Sequence, residues 1–192
     1  MGLFDSLLGR TKPPAADLSV LFSVPQAAIS LQVEGFEFTG TGSVCFRDTE
    51  GAADDVVLAE VTQVVTTDDL ARVETTTDSY GFSWFTVTRP GGDAVGIATD
   101  LHAVNSSLAD HGFDTHLLCS TFVFSDGQRN VALVYLFKRG TFYPFAPESG
   151  SDPGSRRRDN ALELRIRGLV GDDVPIESDL GRWLAIWGAP GL

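Results

Sequence analysis

Two apolar segments joined by a short polar turn constrain the fold of this chain more than any other feature. They cover residues 117–124 and 130–138, and both are rich in β-branched and aromatic residues. Their connection, Ser125-Asp-Gly-Gln-Arg129, contains an Asp-Gly pair, which is typical of a tight hairpin turn. The sequence therefore predicts an antiparallel hairpin, which needs further elements to cover its apolar faces.

A second hairpin and an earlier strand follow from shorter patterns. Residues 72–77 and 81–89 flank a polar turn, so we predict another antiparallel pair there. Residues 36–46 predict one strand or a tight pair of strands. Gly40 and Gly42 are the bulge or turn positions within that segment.

Helical periodicity appears between these strands. Ser23 and Pro25 begin a helix, because proline is tolerated in a first helical turn. Apolar spacing predicts two more helices over residues 51–65 and 95–111, and Gly112 is a stop signal for the second. Hairpins that alternate with helices predict an α+β layered domain with a mainly antiparallel sheet. The same order resembles that of secretion chaperones, as an analogy of fold only.

Two segments near the C-terminus carry less regular signals. Residues 160–170 alternate apolar and charged side chains, which favours a half-buried strand and leaves a short helix as the alternative. Residues 178–187 predict a last helix, capped by Ser178 or Asp179.

The first twelve residues predict a separate amphipathic helix with its linker. A Pro-Pro pair then separates residues 1–12 from a single α+β domain over residues 13–192. The helix has an apolar stripe that would dock on a protein partner, on a bilayer surface or on its own domain. The stripe consists of Leu3, Phe4, Leu7 and Leu8.

Composition limits the possible partners. The 192 residues include 14 Lys and Arg against 26 Asp and Glu, a net charge of −12 that disfavours binding to nucleic acid. No apolar run approaches the length of a membrane span, and the start lacks the pattern of a signal peptide. We therefore expect a cytoplasmic protein with at most peripheral contact at the inner face of the membrane.

Catalytic patterns are sparse. Cys45 and Cys119 lie in apolar strand-like segments without metal-binding spacing, so we interpret both as reduced core thiols. The alternative is a small hydrolase or ligand-binding enzyme that uses Asp100, His102 and Cys119, which requires these side chains to converge in a pocket. Without a phosphate loop, a nucleophile elbow or metal-ligand spacing, neither a cofactor nor a metal is expected.

One basic cluster stands out in this acidic chain. Arg156, Arg157 and Arg158 predict a contact for an acidic partner or a phosphate, and a solvated loop is the alternative. Together with Arg10 and Lys12, the same cluster also allows direct binding to anionic lipid.

An aromatic and proline-containing segment follows the strongest hairpin. Residues 141–147 predict a loop that must pack on a core or on a partner, because such a loop is costly to order otherwise. We expect Phe142 and Phe145 to pack inward and Tyr143 to face a groove. All three are candidate partner-binding residues.

Seven sequence blocks, spread over the whole chain, resemble one protein family. They are Met1-Gly-Leu-Phe-Asp-Ser-Leu-Leu-Gly-Arg-Thr-Lys-Pro13, Thr39-Gly-Thr-Gly-Ser-Val-Cys-Phe-Arg47, Thr77-Asp-Ser-Tyr-Gly81, Thr99-Asp-Leu-His-Ala-Val-Asn-Ser106, Lys138-Arg-Gly-Thr-Phe-Tyr-Pro-Phe-Ala-Pro147, Arg158-Asp-Asn-Ala-Leu-Glu-Leu164 and Trp187-Gly-Ala-Pro-Gly-Leu192. These blocks are similar to those of the PspAB family, proteins associated with phage shock protein A. The resemblance implies an accessory protein of PspA, a helical membrane-remodelling coat protein. It supplies no catalytic residue and no cofactor.

Overall fold

The computed structural model describes residues 16–47, 55–148 and 156–192 of the chain. Within these ranges the elements follow in the order α1 (Val24–Val33), β1 (Glu37–Arg47), α2 (Asp55–Val65), β2 (Arg72–Thr77), β3 (Phe82–Thr88), α3 (Ala94–Leu108), β4 (Leu117–Ser125), β5 (Asn130–Leu136), β6 (Thr141–Phe145) and α4 (Asn160–Val170). Short 3-10 helices cover Leu18–Ser23 and Leu180–Arg182. The amphipathic helix predicted over residues 1–12 lies outside the described residues.

The six strands form one antiparallel sheet in the order β2-β3-β1-β4-β5-β6. The two predicted hairpins are confirmed as β2-β3 and β4-β5, and β1 joins them in the middle of the sheet. Of the two alternatives for residues 36–46, one strand or a pair, the structure shows a single strand, β1. The register of β1 against β4 shifts between Phe38 and Gly42, so the predicted bulge is confirmed. The α+β fold class is confirmed, and the analogy with secretion chaperones stays a prediction.

Both faces of the sheet are apolar, because side chains alternate along strands that are covered from two sides. One face, here called the helix face, packs against the helices and carries Val44, Phe46, Phe85, Val87, Phe122, Phe124, Leu133, Tyr135 and Phe142. The opposite face, here called the tail face, carries Cys45, Trp84, Cys119, Ala132, Val134, Tyr143 and Phe145. It is covered by the C-terminal segment, residues 175–192, through Trp183 and Ala189.

The segment over residues 160–170 is the helix α4, so the preferred prediction of a strand is wrong. Asp159 caps its first turn by accepting a hydrogen bond from the backbone N–H of Leu162. Leu162, Ile166 and Val170 are buried and recur every four residues, which places them on one face of a helix. The alternation that suggested a strand includes Leu164, whose side chain is exposed.

The helix predicted over residues 178–187 is also wrong. Asp179 does cap a turn, by accepting from the N–H of Gly181, but that turn is only the short 3-10 helix Leu180–Arg182. The rest of the C-terminal segment runs without regular structure across the tail face. Burial of Trp183 against the sheet outweighs the local helical signal, since a large aromatic side chain gains about 2 kcal/mol or more on burial.

The predicted aromatic loop over residues 141–147 is a strand for most of its length, β6. Pro144 is tolerated there because β6 is the last strand of the sheet and proline has no N–H to donate. Of the two alternatives for this segment, a core or a partner, the structure shows the first, since Phe142, Tyr143 and Phe145 are all buried within the chain.

Helix α3 lies close to the middle of the sheet at Gly42. A Cβ atom at this position would come within 2.5 Å of the Ile97 side chain and 2.9 Å of the Leu101 side chain. Such distances leave no room for a methyl group, so the absence of a side chain sets how closely α3 packs on β1.

We predict that Gly42→Ala destabilises the protein by about 1–3 kcal/mol, because overpacking forces α3 away from the sheet. The matched control is Gly168→Ala in α4, where an added Cβ meets nothing within 4 Å. This exposed helical position should gain up to about 1 kcal/mol from the higher helix propensity of alanine. Urea unfolding followed by circular dichroism measures both changes. Equal effects at the two positions would contradict the packing argument.

Candidate binding site

A cavity of about 560 Å³ lies between the tail face and the C-terminal segment. The sheet side is formed by residues of five strands and one turn, namely Cys45, Arg47, Asp78, Tyr80, Phe82, Trp84, Leu118, Cys119, Leu136 and Tyr143. Residues 184–187 of the C-terminal segment form the opposite side. The volume is that of a small-molecule pocket, and the lining is mostly apolar and aromatic.

The floor of the cavity contains the two cysteines. Cys45 of β1 and Cys119 of β4 are direct partners in the ladder, and both are free and buried. A hydrogen bond between the two thiols, together with burial, raises the pKa of Cys45 far above its ordinary range. The Cys45 thiol is therefore neutral at physiological pH and a poor nucleophile.

Two arginines lie over aromatic rings that line the cavity. The guanidinium of Arg47 lies over the Phe82 ring, 5.6 Å from its centroid, and that of Arg156 lies 5.3 Å from the centroid of the Tyr80 ring. Both arginines are exposed, and Tyr80 is 53% exposed. Within the described parts of the chain, neither guanidinium has a carboxylate within ion-pair distance.

The carboxylate of Asp78 organises the turn that contains Tyr80. Its Oδ1 accepts hydrogen bonds from the backbone N–H groups of Tyr80 and Phe82. Its Oδ2 accepts a hydrogen bond of 3.0 Å from the indole Nε1 of Trp84. Asp78 is thus engaged by three donors of its own hairpin, and this fixes the aromatic wall formed by Tyr80, Phe82 and Trp84.

The C-terminal segment reaches the tail face by crossing the β6 edge of the sheet. The N–H of Phe142 donates to the carbonyl of Pro175, and the N–H of Glu177 donates to the carbonyl of Phe142, both at 2.7 Å. The indole of Trp183 then donates to the carbonyl of Glu177. These bonds hold the segment at the edge and direct Trp183 over the tail face.

The Glu177 carboxylate is buried at this crossing. It accepts from the backbone N–H of Asp179, from the Thr141 hydroxyl and from Arg139, whose Nε lies 3.3 Å away. The hydrogen bond from Asp179, supported by Thr141 and Arg139, lowers the pKa of Glu177 against the opposing effect of burial. Glu177 therefore holds the crossing in its charged form.

The basic cluster is divided by the fold. Arg158 is largely buried: its Nε donates to Glu163 of α4, its Nη1 donates to the carbonyl of Trp183, and its guanidinium lies 5.1 Å from the Phe145 centroid. Arg158 therefore links α4, β6 and the C-terminal segment. Arg156 and Arg157 are exposed, and Arg157 forms an ion pair with Glu148.

The predicted aromatic residues lie on both faces of the sheet. Phe142 packs on the helix face, and Phe145 packs on the tail face, so the inward packing of both rings is confirmed. Tyr143 lines the cavity and donates its hydroxyl to the carbonyl of Leu184 at 2.9 Å. Tyr143 thus faces a cavity, as expected, although its ring is buried. Their roles as partner contacts stay predictions.

The other predicted contact region, Leu3, Phe4, Leu7 and Leu8, lies outside the described residues.

The residue set named for an enzyme does not assemble. Asp100 of α3 is buried and paired with Arg89, and His102 of the same helix stacks on Phe22 with ring centroids 5.0 Å apart. Cys119 points to the tail face, so the sheet separates it from both helical residues. Asp100, His102 and Cys119 therefore cannot act on one substrate together.

Sequence reasoning missed most of the cavity wall. Tyr80, Trp84 and Leu118 were placed only as parts of strands and turns, although the alternation of apolar residues on both faces of β3 and β4 signals a second covered face. Leu118 joins Cys119 on the tail face because the register shifts near Cys45. No local pattern reveals such a shift.

Neither a membrane-spanning helix nor a group of metal ligands is found in residues 16–47, 55–148 and 156–192. No helix in these ranges combines the length and the apolar character that crossing a bilayer demands. In the same ranges, no group of three or more His, Cys, Asp or Glu side chains is placed to hold a metal ion.

Comparison with known proteins gives one result. The model of the family PspAB, described as PspA associated protein B, matches residues 1–191. Neither a curated protein nor a solved structure gives a significant match.

We predict that Glu177→Gln destabilises the protein by about 1–3 kcal/mol at pH 7, because charge-assisted hydrogen bonds at the crossing are weakened. The folded-state pKa is lowered, so the charged form adds stability above the unfolded pKa of about 4.3. This stability is lost as the pH falls through the folded pKa. The difference between the wild type and Glu177→Gln should therefore shrink in acid. Urea unfolding at a series of pH values measures it, with exposed Glu74→Gln as the control. A difference that is independent of pH would contradict the role of the charge.

We predict that Asp100→Asn lowers the free energy of unfolding by about 3 kcal/mol, because it breaks a buried ion pair with Arg89. The half-buried His102 lies on the same helix, and His102→Ala should cost less than about 1 kcal/mol. Thermal and urea unfolding of both variants check this. Similar losses for both would show that the Arg89 pair is not the main contribution of this region.

Proposed function

Because the chain belongs to the PspA associated protein B family, we propose that it is a non-enzymatic accessory protein that binds PspA in the membrane stress response. The observation that carries this proposal is the family match over residues 1–191, nearly the full length of the chain. The proposed location is the cytoplasm, with at most peripheral contact at the inner face of the membrane.

The fold supports binding rather than chemistry as the proposed activity. Asp100, His102 and Cys119 are separated by the sheet, and the Cys45 thiol has its pKa raised by its neighbour Cys119 and by burial. The cavity on the tail face is lined mostly by apolar and aromatic side chains, which suits it to holding an apolar group.

Two contact regions follow from the sequence and from exposure. The first is the apolar stripe of Leu3, Phe4, Leu7 and Leu8. The second is the exposed part of the basic cluster, Arg156 and Arg157. It suits an acidic patch on the partner because it is positively charged, in a chain that is otherwise acidic. Arg158 is engaged within the fold, so its guanidinium contributes to the partner surface indirectly, through the position of the C-terminal segment.

The test is co-purification of PspA with the full-length chain from cells under membrane stress. We expect PspA to be captured by the wild type. A chain with Leu7→Asp and Leu8→Asp, and another with Arg156→Glu and Arg157→Glu, should each capture PspA at least about tenfold less, because interface anchors carry most of the binding energy. Arg72→Glu, an exposed arginine on β2, is the matched control and should behave as the wild type.

Failure of the wild type to capture PspA under stress would contradict the proposed association. Unchanged capture by either double variant would remove that region from the contact surface and leave the other. Circular dichroism of each variant establishes that the loss of binding is not a loss of folding.

A further inference from the structure

We propose that the cavity on the tail face binds one apolar chain that carries a single anionic head group, as in a fatty acid. This goes beyond the association with PspA and does not depend on it. The apolar chain lies between the sheet and residues 184–187, and the head group lies at the edge formed by Arg47 and Arg156.

The walls select an apolar body for the ligand. The indole N–H of Trp84 donates a hydrogen bond to Asp78, and the hydroxyl of Tyr143 donates to the carbonyl of Leu184. The polar groups of these two aromatic walls are therefore already engaged, and a polar body would lose its own hydrogen bonds to water without replacement. A hydrocarbon chain loses none and gains about 0.8 kcal/mol for each buried CH₂ group.

The floor is formed by two buried thiols. Cys45 and Cys119 face each other across the ladder, and the hydrogen bond between them keeps the Cys45 thiol protonated. Thiols behave as small apolar groups in protein interiors. The two buried side chains thus add apolar surface to the lining of the cavity.

The edge formed by Arg47 and Arg156, here called the mouth of the cavity, favours an anionic head group. The guanidinium groups of Arg47 and Arg156 lie on aromatic rings of the wall and are exposed. Asp78 is the acidic residue in the lining, and its oxygens already accept from Tyr80, Phe82 and Trp84. Both guanidinium groups lie without an ion pair in the described residues, on rings that line the cavity, and they complement a carboxylate or a phosphate.

The roof favours a single chain over a protein helix. Residues 184–187 lie opposite the sheet, where Leu184 is bound by Tyr143 and Trp187 packs edge-on against Phe145. A helix has a diameter of about 10 Å, and residues 184–187 lie along one side of the cavity, so it is not an open face of the sheet. A volume of about 560 Å³ falls within the range of pockets that hold small molecules.

The test uses the full-length protein after removal of lipid, titrated with laurate below its micellar concentration. Trp84 and Trp187 line the cavity, and Trp183 stacks on Tyr143, so the intrinsic fluorescence of the protein reports on occupancy. We expect a saturable change with one laurate per chain, and native mass spectrometry measures the stoichiometry. Dodecanol should bind at least about tenfold more weakly, and dodecylammonium more weakly still, because each lacks the charge that the arginines bind.

Variants at the mouth test the head group without disturbing the core. Arg47→Gln combined with Arg156→Gln should weaken laurate binding at least about tenfold and leave dodecanol binding unchanged. The control Arg72→Gln removes an exposed arginine at the end of β2 that lies away from the Asp78–Tyr80 turn. It should change neither laurate binding nor dodecanol binding. Leu118→Trp, which fills the cavity, should abolish binding of both ligands, and its folding is checked by circular dichroism.

Several results would overturn the proposal. These are a fluorescence change that does not saturate, equal affinity for laurate and dodecylammonium, or a double arginine variant that binds laurate as the wild type does. The cavity could instead receive an apolar side chain of a partner protein. In that case laurate binding will not saturate, and Leu118→Trp will abolish capture of that partner. Capture of PspA and binding of laurate are separate measurements. A negative result in one therefore contradicts only the proposal that it tests.

Discussion

The structure depends on the need to cover both faces of one sheet. Strands β1, β4 and β5 carry apolar side chains on either side, and a bare face of that size would expose several aromatic rings to water. The helices cover one face in the ordinary way of an α+β fold. The other face is covered by a segment without regular structure, which has to be led around the β6 edge. Glu177 is buried at that crossing, and the carbonyl of Phe142 accepts its N–H there.

An irregular cover has a structural consequence that a helical layer avoids. Most backbone groups of the C-terminal segment lack regular partners, so single contacts from other elements hold it. The Tyr143 hydroxyl donates to the carbonyl of Leu184, and the Arg158 guanidinium donates to the carbonyl of Trp183. These contacts lie towards β6. Towards β3 the segment does not fill the space above Trp84 and Cys119, and the cavity remains there. The same arrangement thus explains the stability of the cover and the position of the candidate site.

Much of the fold follows from local patterns, and the exceptions have physical reasons. The Asp-Gly turn and the β-branched strands predict the β4-β5 hairpin correctly, because its partners are neighbours in sequence. The alternation in α4 is misleading because Leu164, which completes it, lies on the exposed face of the helix. The C-terminal helix fails because Trp183 is drawn to a sheet formed far away in the chain. The cavity was not predicted, since it arises where strands from distant segments meet a cover from the last residues.

The sequence by itself determined the class of the protein: its family blocks, its acidic charge, and the alternation of hairpins and helices that makes an α+β sheet. Those features depend on residues that are close together along the chain. Only the tertiary structure decided which side chains share a face. It placed Cys45 against Cys119, divided Arg156 and Arg157 from Arg158, and put Phe142 and Phe145 on opposite faces of the sheet. The reason is that register and edge crossing are set by packing between distant segments, and packing has no local signature.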